Sequence, residues 1–347
     1  MKNVFLLLLV YCLFTACKPE TATNTPPVQT GPNPDNISLI SHRYLVQDQQ
    51  LLNTFRVRAN KAVDVYINEG KDVVKMAQTG QIKGDVVLLE DLYHAHLLKK
   101  AGVLSPYNAG TFGDFVPSRY VDNEGYWGGV TRWTMSFVYR ADKVDLMQMR
   151  KYGGILDPRY KGRVAMAHPD SSGLISMVAS MIAAHGEEPA QIYLETLKKN
   201  LSSAPKGGDW EAISAVLRGD ADIALVNGSK FLRYQHSGNP EMFKALSELE
   251  MEIPTDNEEN NYYNISTMSI LNNAPYRNYA INLVEFFTIE ENQGIFSEAY
   301  FEFPVNVFSP SGELLNNTFN LPQGKITSEM TENQLDKAAD MVHQIFR

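Results

Sequence analysis

The stretch Pro205–Asn227, PKGGDWEAISAVLRGDADIALVN, decides the fold class. From Asp209 to Leu217 apolar residues recur at helical spacing, and Asp222 to Val226 then reads as a short apolar strand. The same alternation runs along the chain. Strands are predicted at Val63 to Ile67, Asp85 to Leu89 and Arg163 to Ala167. Helical spacing recurs at Leu51, Leu52 and Phe55, through SSGLISMVASMIAAHG, which ends on Gly186 as a C-cap would, and from Asn278 to Phe287. Strands alternating with helices predict an α/β fold with a mainly parallel sheet.

Composition narrows the class. A chain of 347 residues holds about two domains at roughly 100–200 residues each. With 44% hydrophobic and 20% charged residues it can bury a real core. Two cysteines cannot staple a fold of this size. A net charge of -9 speaks against a nucleic-acid binder, because a phosphate backbone demands a Lys/Arg excess on at least one face.

The long apolar run lies at the start, where Lys2 precedes Val4 to Leu13, ten residues against the about 20 that a bilayer needs. Residues 1–16 read as a signal peptide. Small residues in Leu13-Phe14-Thr15-Ala16-Cys17 directly before a cysteine suit a lipoprotein signal peptidase, which would leave Cys17 acylated. The alternative is an ordinary secretory signal with an incidental cysteine. Cleavage there removes Cys12 and leaves no partner for an internal disulfide. Residues 17–36, rich in Pro, Thr and Asn, read as a tether, and folded sequence begins near Ile37.

No catalytic set stands out, and the chain reads as a non-enzyme without a resident cofactor or metal. There is no P-loop, no GxGxxG and no GxSxG elbow. His94 and His96 follow Glu90 and Asp91; on a helix they diverge, on a strand they would share a face and keep zinc open. His168-Pro169-Asp170-Ser171-Ser172-Gly173 marks a strand end giving way to a helix start. Ser171 and Ser172 there either help to bind an anion with free backbone N–H groups or only cap the helix.

Several stretches together resemble the substrate-binding proteins of ferric-iron ABC transporters, the extracellular solute-binding type. They are SHRYLVQDQQLL from Ser41, DVVLLEDLYHAHLLKKAGVLSPY from Asp85, DPRYKGRVAMA from Asp157, VASMIAAHGEEPA from Val178 and the opening stretch from Pro205. NIS at Asn264 and NAPYRNYAINLVEFF followed by FEFPVN complete the set. The resemblance runs from about Ile40 to Phe308. It implies the type II periplasmic-binding-protein fold, two α/β lobes with a hinge and a central cleft. Residues 37–134 plus 265–320 would form lobe 1 and 135–264 lobe 2, with a C-terminal helix in 321–347 packing on the body. Chain crossings are expected near Arg132 to Tyr139 and Ile253 to Ser266, with the segment TDNEENN before Tyr262 as a flexible stretch or an acidic surface loop.

Against that family the chain departs at the ligand positions. The tyrosine pair of ferric-binding members falls on Ser229 and Lys230, after a matching Asn227; the first-loop histidine and tyrosine fall on Tyr44 and Leu45, and the helix-start tyrosine of some relatives falls on Gly173. An ammonium where a phenolate should bind a trivalent ion replaces attraction by repulsion. The positions read instead as a pocket for a small anionic or polar solute or a ferric chelate. Arg43, Arg132 and Lys230 would pair with carboxylate or phosphate, Tyr44, Asn227 and Ser229 would hydrogen-bond, and Trp133 would stack. Tyr262 and Tyr263 enter the cleft from the hinge side or pack in the core. The function expected is a lipid-anchored, monomeric binding protein of an iron(III)-type ABC importer, serving a membrane permease on the extracytoplasmic side of a bacterial membrane. The alternatives are a ligand sensor of the same fold and an enzyme on this scaffold. If Cys17 carries the anchor, Cys17→Ser should move the protein from the membrane to the soluble fraction on ultracentrifugation, and mass spectrometry should find acyl chains only on the wild type.

Overall fold

The computed structural model describes residues 35–44, 46–107, 115–319, 321 and 324–346. The leader, Cys17, the tether up to residue 34 and Leu45 lie outside the described residues.

The chain opens with β1 (Ile37–Ser41), α1 (Val46–Ala59), β2 (Val63–Ile67), α2 (Gly70–Gln78), β3 (Val86–Leu89), α3 (Leu92–Lys100) and the short β4 (Leu104–Ser105). Then come β5 (Gly128–Tyr139), α4 (Leu146–Met149), β6 (Val164–Met166), α5 (Ser172–His185), α6 (Glu187–Asn200), α7 (Asp209–Arg218), β7 (Ile223–Asn227), α8 (Gly228–Gln235), α9 (Pro240–Leu246) and β8 (Glu250–Glu252). The last third holds β9 (Tyr263–Leu271), α10 (Arg277–Thr288), α11 (Glu290–Tyr300), β10 (Phe303–Pro304), α12 (Glu313–Thr318), α13 (Ser328–Glu332) and α14 (Leu335–Phe346).

Strand order is β2-β1-β3-β9-β5-β7-β6. The long strand β5 serves both halves. Its first part, Gly128 to Thr134, pairs antiparallel with β9, and its second part, Met135 to Tyr139, pairs with β7 and β8. The chain comes back through the segment between β8, beside the second half, and β9, inside the first. Helices cover both sheets, and α13 and α14 lie against α5, with a Lys337–Glu187 ion pair at 2.7 Å between α14 and α6. The expectation of a mainly parallel sheet needs correcting. β1–β2, β1–β3 and β6–β7 are parallel, but β5 and β9 run against their neighbours, because a strand passing from one lobe to the other meets the βα units of each head to tail.

Local chemistry sets the element ends. Gly186 at φ 89° and Gly219 at φ 79° end α5 and α7 in a region that costs other residues strain. Asp91 and Asn227 start α3 and α8 with side-chain oxygens that accept the first free N–H groups. The segment Thr255–Asn261 is divided: Asn257, Glu258 and Glu259 are exposed, while Thr255, Asp256, Asn260 and Asn261 are buried. Asp256 accepts from the Glu258 and Asn260 backbone N–H groups, the Asn260 side-chain amide and the Tyr262 hydroxyl, and Asn260 and Asn261 are buried. Asp256, Asn260 and Asn261 are used inward, in an Asx-type turn that closes the return crossing.

Phe137 in β5 is fully buried where the strand belongs to the second half. Phe137→Ala should lower the unfolding free energy by about 3–5 kcal/mol in a urea titration, from lost transfer energy plus an unfilled cavity.

Candidate functional site: a charged interlobe cleft

Strand ends from both halves converge on one polar cluster. β3 delivers Glu90 and Asp91 side by side, with different tasks. Asp91 caps α3 and takes the His94 ring at 2.7 Å, while Glu90 reaches across to α8. There the Lys230 Nζ lies 2.9 Å from Glu90 Oε1 and 3.5 Å from Asp209 Oδ2. The Asn227 side-chain amide donates to Glu90 at 3.2 Å, and its oxygen accepts from the Ser229 backbone N–H and hydroxyl. Asp209, the first residue of α7, accepts the Asn227 backbone N–H at 2.9 Å. The end of β7 and the start of α8 are thus held by groups from three elements.

A second ion pair lies beside the first. Arg43, after β1, is buried against the Tyr300 ring, 3.6 Å from its centroid, and meets Glu302 at 2.8 Å. Glu302 has no exposed surface; it accepts from the Thr131 and Ser266 hydroxyls and faces Arg233 of α8 at 3.7 Å. Arg43, Lys230 and Arg233 therefore face Glu90, Asp209 and Glu302.

Burial pulls the Glu90 carboxyl up, but Lys230 and the neighbouring cations outweigh it and hold the pKa at about 2. Glu302 is likewise pulled up by burial and held below the usual range by Arg43 and Arg233. Asp209 goes the other way, raised by desolvation that Lys230 only partly offsets. His42, on the same loop as Arg43, falls to about 3, first from desolvation and then from the Arg43 charge; it is neutral, with Nδ1 at 3.2 Å from the Leu88 carbonyl and a buried Nε2 without a hydrogen-bond partner.

The residues singled out from sequence divide into two groups. Arg43, Asn227, Ser229 and Lys230 belong to the cluster. Trp133 belongs to it as structure, because it is buried, donates its indole N–H to the Glu90 carbonyl at 2.8 Å and packs where Gly173 begins α5. It offers no free face for stacking. Ser171 and Ser172 stand at that helix start, half-buried, and Ser171 makes no side-chain cap bond. Tyr44 is exposed on the loop after Arg43.

Arg132 and Tyr262 stand apart. Arg132 alternates to the other face of β5, where its guanidinium meets the Tyr120 hydroxyl at 2.9 Å and lies near the Tyr120 and Tyr263 rings, so it does not converge with Arg43 and Lys230. Tyr262 stacks on Tyr152 at 4.6 Å and bonds Asp256 and His185, at the far end of α5, about 20 Å from Ser172 by helix length. Tyr263 packs on Tyr120 in the core. His94 and His96 lie on α3 and diverge, His96 toward Glu332 and Asp336; among the described residues no His/Cys/Asp/Glu group suits a metal ion.

Sequence reasoning passed over Glu90, Asp209, Glu302, Arg233 and His42 as ligand-site residues. Glu90 carried a usable signal, since it ends a strand where α/β sheets place their sites. Glu302 carried none, because its partners lie on distant segments. Lys230→Met should cost about 1–3 kcal/mol at pH 7, the loss of a partly buried ion pair. Glu90 is held lower in the folded than in the unfolded chain, so the pair's contribution is complete above about pH 4.5 and fades as pH falls toward about 2. Urea titrations should show the wild-type advantage in full at neutral pH and narrowed at about pH 3.

Comparison with known proteins gives this geometry a family. The family model described as bacterial extracellular solute-binding protein matches residues 83–323. Iron uptake protein A2 of Synechocystis sp. is 26% identical over 273 residues, 78% of each chain. Among solved structures, the Trichodesmium IdiA (FutA) protein in complex with iron and citrate ligands superposes with a TM-score of 0.82 at 24% identity, over 89% of this chain and 99% of that one. The ferric binding protein from Campylobacter jejuni gives 0.81 at 20% identity, again over 89% and 99%. These likenesses place the fold among periplasmic binding proteins. With its matched region covering well over half its length, the chain belongs to the family of bacterial extracellular solute-binding proteins, which bind solutes and do not transform them.

Proposed function

We propose that the protein is the solute-binding subunit of an iron(III)-type ABC importer, anchored through Cys17 on the extracytoplasmic face and passing its load to a membrane permease. In this reading residues 37–134 with 265–320 form one lobe and 135–264 the other, with 321–347 packed on the body. The iron-transport class is supported by the names of its relatives, an iron uptake protein and ferric-binding proteins.

The observation that carries the ligand reading is Lys230 held between Glu90 and Asp209. Ser229 and Lys230 stand where phenolates would hold free ferric ion, and neither supplies an anionic oxygen. The carboxylate of Glu90 occupies the place on Lys230 that an anionic ligand would take. Solute entry then requires the Glu90–Lys230 contact at 2.9 Å to open. Iron then arrives as an anionic chelate, with its anionic groups on Lys230 and Arg43.

The full-length protein in detergent should gain melting temperature with ferric citrate and gain less with citrate alone. Lys230→Ala should weaken ferric citrate binding by at least about ten-fold, one charge-assisted pair. A visible phenolate-to-iron absorption band after loading with a ferric salt alone would overturn this reading.

A further inference from the structure

The strand alternation that turns Trp133 into the cleft turns Arg132 the other way, where it is a cation without a counter-charge. Its Nη1 donates to the Tyr120 hydroxyl at 2.9 Å, and its guanidinium lies 5.1 Å from the Tyr120 ring centroid and 5.9 Å from that of Tyr263. Among the described residues no carboxylate pairs with it. Glu302, next to the strand partner Phe303, serves the opposite face of the sheet, with Thr131, Ser266 and Arg43. Burial lowers the Arg132 pKa from the usual arginine value, Tyr120 and Tyr263 oppose this, and Arg119 adds a like charge. Ring faces and one hydroxyl thus do here what a carboxylate does for Arg43, Arg163 and Arg233.

The guanidinium opens on a cavity of about 180 Å³ between β5 and residues 305–311, which follow β10. Nε is enclosed, while Nη2 is neither bonded nor enclosed and is the donor presented to the cavity. Most polar groups of the facing wall are spent within the protein. Gln293 accepts the Val305 and Asn306 N–H groups at 3.1 and 2.8 Å, and the Asn306 amide and Ser309 hydroxyl donate to the Thr288 and Glu290 carbonyls at 2.8 Å. These bonds fix the wall and leave the half-buried Ser311 hydroxyl as a second open donor. No Asp, Glu or Lys lines the cavity among the described residues, so its charge is that of Arg132. Its volume lies below the about 300–1,000 Å³ of drug-sized sites, which limits an occupant to a few heavy atoms.

We propose that this cavity is an anion site, separate from the interlobe cleft, which takes a small oxyanion of the size of phosphate or acetate on Arg132, with the Ser311 hydroxyl as second donor. The unpaired guanidinium sets the charge, its N–H geometry favours carboxylate or phosphate oxygens, and the volume sets the size. The site shares no lining residue with the Glu90–Lys230 cluster, so it stands or falls independently of the importer reading.

Inorganic phosphate tests it, followed by its phosphorus NMR linewidth with the full-length protein in a phosphorus-free detergent at constant ionic strength. Phosphate should broaden on the wild type, and sodium acetate should compete with it better than sodium chloride does. Arg132→Gln should weaken phosphate at least about ten-fold. Val307 is exposed at the rim, so Val307→Glu should keep the wild-type melting temperature, place a like charge at the mouth and weaken phosphate by roughly three- to ten-fold. Lys230→Ala should bind phosphate here as the wild type does. A melting curve separates a ligand site from a merely structural arginine, because phosphate should raise the melting temperature of the wild type and not that of Arg132→Gln. The proposal is overturned if the linewidth is unchanged at about 10 mM protein-saturating phosphate, if chloride competes as well as acetate, if Arg132→Gln or Val307→Glu binds undiminished, if Lys230→Ala abolishes the signal, or if phosphate stabilises Arg132→Gln as much as the wild type.

Discussion

Three carboxylates meet where the two sheets face each other, and the cleft is organised by the cost of leaving them uncompensated. Taking an ion out of water costs several kcal/mol unless it is paired and hydrogen-bonded. Glu302 has no exposed surface, and Glu90 and Asp209 are largely covered. The compensation comes from Arg43 on one side and from Lys230 and Arg233 on the other. The last two lie three residues apart on α8 and so share one helix face. Since α8 starts at the end of β7 in the second half while Glu90 and Glu302 belong to the first, the ion pairs that neutralise these carboxylates also bridge the two halves.

That arrangement depends on where α8 begins. Asn227 ends β7 and caps α8, and one side-chain oxygen fixes the Ser229 N–H and hydroxyl while the amide of the same side chain reaches Glu90. Asp209 holds the Asn227 backbone from α7. A helix start braced in this way presents Lys230 at one place and not over a range of rotamers. On the opposite wall, Trp133 braces the Glu90 carbonyl and fills the space left by the missing side chain at Gly173.

The elements were largely legible in the sequence because they rest on local periodicity. Val63 to Ile67 is β2, Asp209 to Leu217 is nearly all of α7, and Gly186 ends α5. The antiparallel sense of β5 and β9 was not legible, since it comes from passage between halves and leaves no mark on either strand's pattern. Of the cluster's residues, Arg43, Asn227, Ser229 and Lys230 were legible, all of them just after or at the end of a strand. Arg132 and Trp133 show the limit. Adjacent residues on a strand point to opposite faces, and only the pairing with β9 decides that Trp133 meets Glu90 while Arg132 meets Tyr120. The polar run at Thr255–Asn261 is only half legible for a related reason, because polar side chains that bond their own backbone, as Asp256 does, can be buried as readily as exposed.

In the proposed reading, affinity is a difference between two pairings. A plain anion that takes Lys230 from Glu90 gains one charge-assisted contact and strands the carboxylate it displaced, so the exchange yields little, for the same reason that breaking one partner of a buried pair is costly. A ligand carrying both signs avoids this. Its anionic groups can take Lys230 and Arg43, while a metal centre in the same ligand presents positive charge to the displaced Glu90 and to Glu302. With Ser229 and Lys230 read at the phenolate positions, the carboxylates already in the cleft still favour a metal, provided that it arrives with anionic ligands of its own. Internal charge balance thus favours a chelate over either of its components.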